Sequence, residues 1–271
     1  MALILLKCAK SFGADVLRLW AASVDFSQDV SISENILKQV SDAYRRFRNT
    51  FRFLLGNLSD FDDQANAISN WDDLEPIDQY MMAKTAQLLA DVEQAYDSFK
   101  FNGVYRAVYD FVNDLSSVYM DVTKDRLYSE SPDSPRRRAV QTVLFNILEV
   151  LVRVLSPILS FTADEVWECY PEAMRNREGR VCNVQLAGWP HRSDFVPALP
   201  GKAAEDKVLA AFGGALEVRD VVTKALEDAR GAQVITRARK PPFRLPLRRQ
   251  PSMRFPPSMP PCSRSSSSCP A

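Results

Sequence analysis

The stretch SENILKQVSDAYRRFRNTFRFLLGNL, from Ser33 to Leu58, decides the fold. Leu37, Val40, Tyr44, Phe47, Phe51, Leu54 and Leu58 follow one another at steps of three and four. At about 100° per residue they fall on one stripe of an α-helix, whereas a strand would scatter them over both faces. Beside that stripe Arg45, Arg48 and Arg52 lie within about 60° of one another on the helical wheel, with Asn49 next to them. They form a basic ridge along a buried face. Guanidinium forks in such a row suit the oxygens of a nucleic-acid backbone; the competing reading is a solvated face whose arginine stems cover the edge of the core. Arg46 falls on the side of the wheel away from the apolar stripe.

The same periodicity continues outward from this helix. A second helix is predicted to start near Pro76 and to carry Met81, Leu88, Leu89, Val92, Tyr96 and Phe99 until Asn102-Gly103 interrupts it. A third runs from Val104 to Tyr128. Ser129 to Pro135 is a loop by composition, with Ser134 and Pro135 placed as N-cap and first turn of a helix that reaches about Leu155 and is apolar nearly all round. Such a helix belongs at the centre of a bundle, and Pro157 ends or kinks it. Thr162-Ala-Asp-Glu165 reads as a capping box ahead of a short helix closed by Pro171. Val181 to Leu186 is the one stretch that reads as a strand, with Gly188-Trp-Pro190 as its turn, and a last helix covers about Ala203 to Ala229 with Gly231 as its stop. The fold class is therefore all-α, a helical bundle.

After Ile235 the texture changes. Of the last 36 residues nine are Pro, seven Ser and seven Arg, with one Lys, no acid and no apolar period. That composition buries too little surface to offset chain entropy, so the tail reads as disordered. It also hides an imbalance: the whole chain has 34 basic and 34 acidic residues, but without the tail 26 basic residues face 34 acidic ones, a net charge of −8.

Catalytic and metal-binding constellations are scarce. One histidine, His191, and five scattered cysteines, Cys8, Cys169, Cys182, Cys262 and Cys269, give neither a triad nor a zinc set, and no glycine-rich phosphate loop is present. His191, after Trp189-Pro190, reads as a solvated loop residue, and the acidic pairs Asp62-Asp63 and Asp72-Asp73 as solvated loop charges. Met1 to Leu6 is too short for a signal peptide or a membrane span, which makes a reducing, cytoplasmic location and no membrane partner the expectation.

Several blocks resemble a known family. Gly13-Ala-Asp-Val-Leu-Arg-Leu-Trp20, Asp29-Val-Ser-Ile-Ser33, Tyr44 to Thr50 with Phe53 to Leu58, Lys124-Asp-Arg-Leu-Tyr128, Leu155 to Trp167 and Gly188-Trp-Pro190 are similar, in the same order, to the C-terminal half of isoleucyl-tRNA synthetases of class Ia. The resemblance covers about Ser11 to Ile235. It implies that residues 1–29 are a remnant of the stem-contact region that follows the catalytic domain, 30–185 the helical anticodon-binding domain, and 186–235 a linker and the start of a C-terminal subdomain. Residues 236–271 would be a disordered tail, read as out of frame because one back-translation of Thr236 to Pro242, shifted to its third nucleotide, spells a sequence similar to what the family places after Val-Ile; a native disordered tail is the alternative.

The partner so implied is tRNA, with Arg45, Arg48, Asn49 and Arg52 as the residues facing it. The missing catalytic half of a full-length enzyme is the other expected partner. The parent family joins isoleucine to its tRNA with ATP, but the HIGH-type and KMSKS-type nucleotide signatures and the zinc module of many members are absent from this sequence, so no cofactor is expected here and the chain alone should not activate isoleucine. Two rival readings stand beside this one: a non-catalytic helical protein-interaction module, and a truncated product without function.

Overall fold

The computed structural model describes residues 11–177 and 179–232. The chain divides into two compact units, Met1–Val218 and Arg219–Ala271. Within the first, α-helices follow one another as α1 (Ala14–Ser23), α2 (Glu34–Asn57), α3 (Pro76–Asp97), α4 (Phe101–Asp114), a π-helical turn (Leu115–Tyr119), α5 (Met120–Ser129), α6 (Pro135–Leu155), α7 (Ser160–Glu168) and α8 (Glu172–Arg175). The last helix, α9 (Lys202–Gly231), begins in the first unit and supplies the described part of the second. The predicted tail lies outside the described residues.

The decisive stretch folds as its pattern dictates. Ser33 accepts the Ile36 N–H at 3.3 Å and starts α2 one residue before Glu34, an acid placed where the helix dipole favours it. Leu37, Val40, Phe47, Phe51, Leu54 and Leu58 are all buried. Each such side chain contributes roughly 1.5–3 kcal/mol through the apolar surface it removes from water. Helix α6 is the axis of the bundle, with fifteen of its 21 residues buried. Its polar members are satisfied there: Gln141 donates to the Asn57 carbonyl at 2.8 Å, and Asn146 exchanges hydrogen bonds with the backbone of Val196 at 2.6 and 3.0 Å.

Four boundaries differ from the sequence reading, each for a local reason. The α3–α4 break falls at Ser98 to Lys100 and not at Asn102-Gly103. Phe99 takes a left-handed φ of 54°, and the Lys100 and Phe99 N–H groups return to the carbonyls of Ala95 and Tyr96 at 2.8 and 3.0 Å, a Schellman closure in which a phenylalanine stands where glycine is usual. Gly103 lies inside α4, where a Cβ would meet that of Ala95 at 3.4 Å, an ordinary van der Waals contact. The helix expected from Val104 to Tyr128 carries the π-helical turn at its middle.

Thr162 is no N-cap either: α7 begins at Ser160, and the threonine hydroxyl is taken by partners on other helices. There is no strand among the described residues. At Val181 to Leu186 the Asn183 side chain accepts the Gln185 N–H at 2.9 Å and turns the chain into a 3-10 helix (Val184–Leu186), while the Val181 carbonyl accepts the indole N–H of Trp167 at 3.0 Å. Short-range polar bonds won over a β pattern that had no neighbouring strand to pair with.

Candidate nucleic-acid interface

The ridge on α2 is present, and the structure divides it. Arg45 is exposed, in a surface ion pair with Asp42 at 3.2 Å. Arg52 is exposed and has no hydrogen bond or ion pair among the described residues. Between them Arg48 is clasped from α7, its fork donating to Glu165 at 2.8 and 2.5 Å. That contact raises the Arg48 guanidinium above its ordinary pKa and holds the Glu165 carboxyl below the usual carboxylate range. Arg45 and Arg52 thus remain available to an outside anion, whereas Arg48 is already neutralised by an internal one.

Arg48 is held by more than its acid. Asp15, buried on α1, accepts the Thr162 N–H at 2.8 Å and the Thr162 hydroxyl at 2.5 Å. With its proton so committed, Thr162 Oγ1 accepts from the Tyr44 hydroxyl at 2.9 Å, and the Tyr44 oxygen accepts from Arg48 at 3.4 Å. One donor chain therefore fixes α1, α2 and α7 together behind the ridge. The sequence reading missed Asp15, Thr162 and Glu165 as parts of this corner; the bonds that join them span more than a hundred residues, and no periodicity signals them.

Two grooves open along this corner. One of about 590 Å³ is lined by Phe12, Lys38, Ser41, Asp42, Tyr44 and Arg45. A second, of about 290 Å³, runs past Phe12, Tyr44, Arg48 and Glu165 to Phe161, whose ring is 69% exposed. Exposed cations beside exposed aromatic rings are what a nucleic acid requires of a protein surface, charge for its phosphates and a flat apolar face for its bases.

Asn49, the fourth residue singled out, is exposed and lies further round α2, in a groove shared with Arg46. Arg46 is exposed, on the side the wheel gave it, but it is tethered there. Its Nη1 donates to Asn113 at 2.8 Å and its guanidinium lies 5.7 Å from the centre of the Tyr109 ring, because α4 packs on that side of α2 as well.

Elsewhere many of the arginines are spoken for, although Arg106 on α4 is exposed and, like Arg52, has no hydrogen bond or ion pair among the described residues. Arg136, Arg137 and Arg138, the densest basic run among the described residues, meet Glu75 and Glu130, Asp60, and Asp60 with Asp133. Arg126 is buried, its fork donating to Asp78 at 3.1 and 2.6 Å. Asp63, read from sequence as a solvated loop acid, is mostly buried and grips Arg177, while Asp72 and Asp73 are exposed as expected. His191 is an exposed loop residue whose N–H donates to Asp194 at 3.0 Å. Cys169 and Cys182 are exposed free thiols, and no cluster of three or more His, Cys, Asp or Glu suited to a metal occurs among the described residues. No helix among them is long and apolar enough to cross a membrane.

The chain is similar to known proteins over most of its length. Residues 78–243 match the family model described as the anticodon-binding domain of tRNA ligase. Over 230 residues the chain is 48% identical to the isoleucine–tRNA ligase of Geobacillus kaustophilus, an alignment covering 84% of this chain and 24% of that protein. The isoleucine–tRNA ligase of Geobacillus thermodenitrificans aligns with the same identity and coverage, and that of Moorella thermoacetica is 45% identical over 223 residues, 82% of this chain and 23% of that protein. The chain spans about a quarter of the length of the curated relatives it matches.

Proposed function

Because the chain belongs to the family of anticodon-binding domains of tRNA ligases, we propose that its bundle binds tRNA within an isoleucine–tRNA ligase, and that the open flank of α2 grips the sugar–phosphate backbone. In this reading the ATP-dependent joining of isoleucine to tRNA takes place on other parts of the ligase, and this module holds the tRNA. The observation that carries it is the contrast among arginines: in a body with excess acid, Arg52 has no partner among the described residues and Arg45 has only an exposed pair, of the kind worth roughly 0–1 kcal/mol, which a phosphate can replace at little loss.

Arg48, Tyr44, Thr162 and Asp15 serve this reading by position. A guanidinium row offers a useful phosphate track only if its helix is held still, and the donor chain from α1 through α7 holds α2 from behind. Phosphate contacts of this kind fix register without reading sequence, and each one releases counterions.

The test is the salt dependence of binding between the full chain and tRNA. The affinity is expected to fall steeply as salt rises, and replacing Arg45 and Arg52 together with Gln should flatten the logarithmic slope by about two contacts' worth. Binding that ignores salt and both substitutions would overturn the phosphate reading and favour an apolar protein-docking surface.

A further inference from the structure

The phosphate reading leaves Asn49 without a task. Its amide is exposed and makes no hydrogen bond among the described residues, yet it stands on the rim of a groove of about 300 Å³ formed where α2 passes the π-helical turn. The floor is apolar, made by Phe53 with the buried Val112 and Met120. The rim is polar: Arg46 and Asn49 on α2, and on the π-helical turn Ser116, whose hydroxyl donates to the Asn113 carbonyl at 3.0 Å and can still accept. Ser116 stands on the π-helical turn, whose extra residue per turn swells the helix where it meets α2; such turns recur at functional sites. Arg46, which also lines the groove, is held in place by Asn113 and Tyr109.

An apolar floor under a rim of amide, guanidinium and hydroxyl is suited to a planar heterocycle with hydrogen-bonding edges. The volume lies at the lower end of the roughly 300–1,000 Å³ of ligand pockets. Asn49 is also one residue from Arg48 and one turn of helix from Arg45 and Arg52, so a strand whose phosphates lay on that flank could turn a base into the groove. We propose that this groove takes one unpaired nucleobase of the bound RNA, with Asn49 reading its edge while Phe53 and Met120 receive its face. The proposal rests on the phosphate reading of α2 and adds to it a specificity-determining position, since a side-chain amide can both donate to and accept from a base edge.

The experiment uses the full chain and a short RNA hairpin whose loop nucleotides are replaced one at a time by abasic ribose, with binding followed by fluorescence anisotropy at several salt concentrations. For the wild type, one abasic position is expected to weaken binding about tenfold, the size of a lost base contact. Asn49→Ala should weaken the intact hairpin and, combined with that abasic position, add little further loss, while the salt slope stays unchanged. Asn49→Leu, which keeps nearly the same shape and removes donor and acceptor without adding charge beside the ridge, should behave alike, and unchanged thermal melting of both variants excludes a folding defect at this exposed position. Independent, multiplying losses, or wild-type affinity in both variants, would overturn the base pocket and leave the ridge intact. Failure of the wild type to bind in a salt-dependent way would overturn the ridge reading, and the pocket with it.

Discussion

Two sets of arginines in this bundle have opposite fates. At the corner where α5 meets α6, Arg126, Arg136, Arg137 and Arg138 all find carboxylates, and Arg126 does so with a side chain only 6% exposed. Along α2, Arg52 finds none among the described residues and Arg45 only a solvent-exposed one, with Arg48 between them clasped by Glu165. The first set holds helices to one another. The second leaves charge on the surface. Counting cations would have ranked the α6 run as the better nucleic-acid patch; counting partners reverses the order.

Breaking the buried set should have the largest effect. Asp78 is fully buried and accepts from the Arg126 fork and from the Tyr119 hydroxyl at 2.8 Å. Burial pushes its carboxyl up against the pull of that fork, and burial together with the neighbouring carboxylate pushes the Tyr119 phenol well up. Asp78→Ala leaves the buried guanidinium with Glu75, at 3.2 Å, as its one remaining acid and the Tyr119 hydroxyl without its acceptor, and is expected to lower stability by about 3–5 kcal/mol in urea unfolding. The double variant Asp78→Leu with Arg126→Met, which removes both charges, should recover most of the loss. A single-variant loss below about 1 kcal/mol would mean the site floods with water and the corner is not a structural lock.

The next effect sharpens the comparison at the back of the ridge. Thr162→Val takes the hydroxyl from Asp15 and Tyr44 at once, leaving the buried Asp15 carboxylate with the Thr162 N–H as its remaining partner in that chain. A loss of about 1.5–3 kcal/mol is expected, the range for hydrogen bonds to charged groups. The same variant should weaken tRNA binding less than it weakens folding, because it loosens α2 without removing a cation. If binding falls and stability does not, Thr162 touches the RNA itself.

What could be read before the structure follows from range. Helix positions came from contacts within four residues, and α2, α3 and α6 begin within a residue of where Ser33, Pro76 and Pro135 place them. Capping and turn chemistry at Phe99, Thr162 and Asn183 depended on competing bonds, one of them to a residue 147 positions away, and there the sequence misled. The three arginines of the ridge could be placed on one flank by angle alone. Which of them is free could not, because Glu165 lies 117 residues from Arg48 and no period links them.

That distinction sets the third prediction. Arg52→Gln should leave stability within about 0.5 kcal/mol of wild type and still weaken tRNA binding, as an exposed residue that acts only on a ligand must. Arg48→Gln should do the converse in kind, lowering stability by less than about 1 kcal/mol since both partners of its pair are partly exposed, at 41% and 54%. Its effect on binding should be the smaller of the two. Equal binding losses from both would show that the clasp opens when RNA arrives and that Arg48 exchanges Glu165 for a phosphate.

The smallest effect is a pH dependence, and it tests whether the α6 run is committed to its acids. Asp60 accepts from both arms of Arg137 at 2.6 and 3.0 Å, and that bond, helped by Gln141, holds its carboxyl below the usual carboxylate range against the opposing effect of burial. A carboxyl with a depressed folded pKa contributes stability that is fully present above its unfolded pKa, about 3.9, and is lost as pH falls through the folded value. Asp78, whose folded pKa is raised, works in the opposite direction, so the pH profile of one protein would mix the two. Comparing wild type with Arg137→Gln removes Asp78, which is common to both. The stability difference between them should hold steady from about pH 7 down to about pH 5 and narrow below about pH 4 as Asp60 takes up its proton in both proteins. A difference that stays constant to lower pH would mean that Arg137 acts through its bonds to the Leu127 and Pro132 carbonyls, at 3.2 and 3.3 Å, and not through the carboxylate.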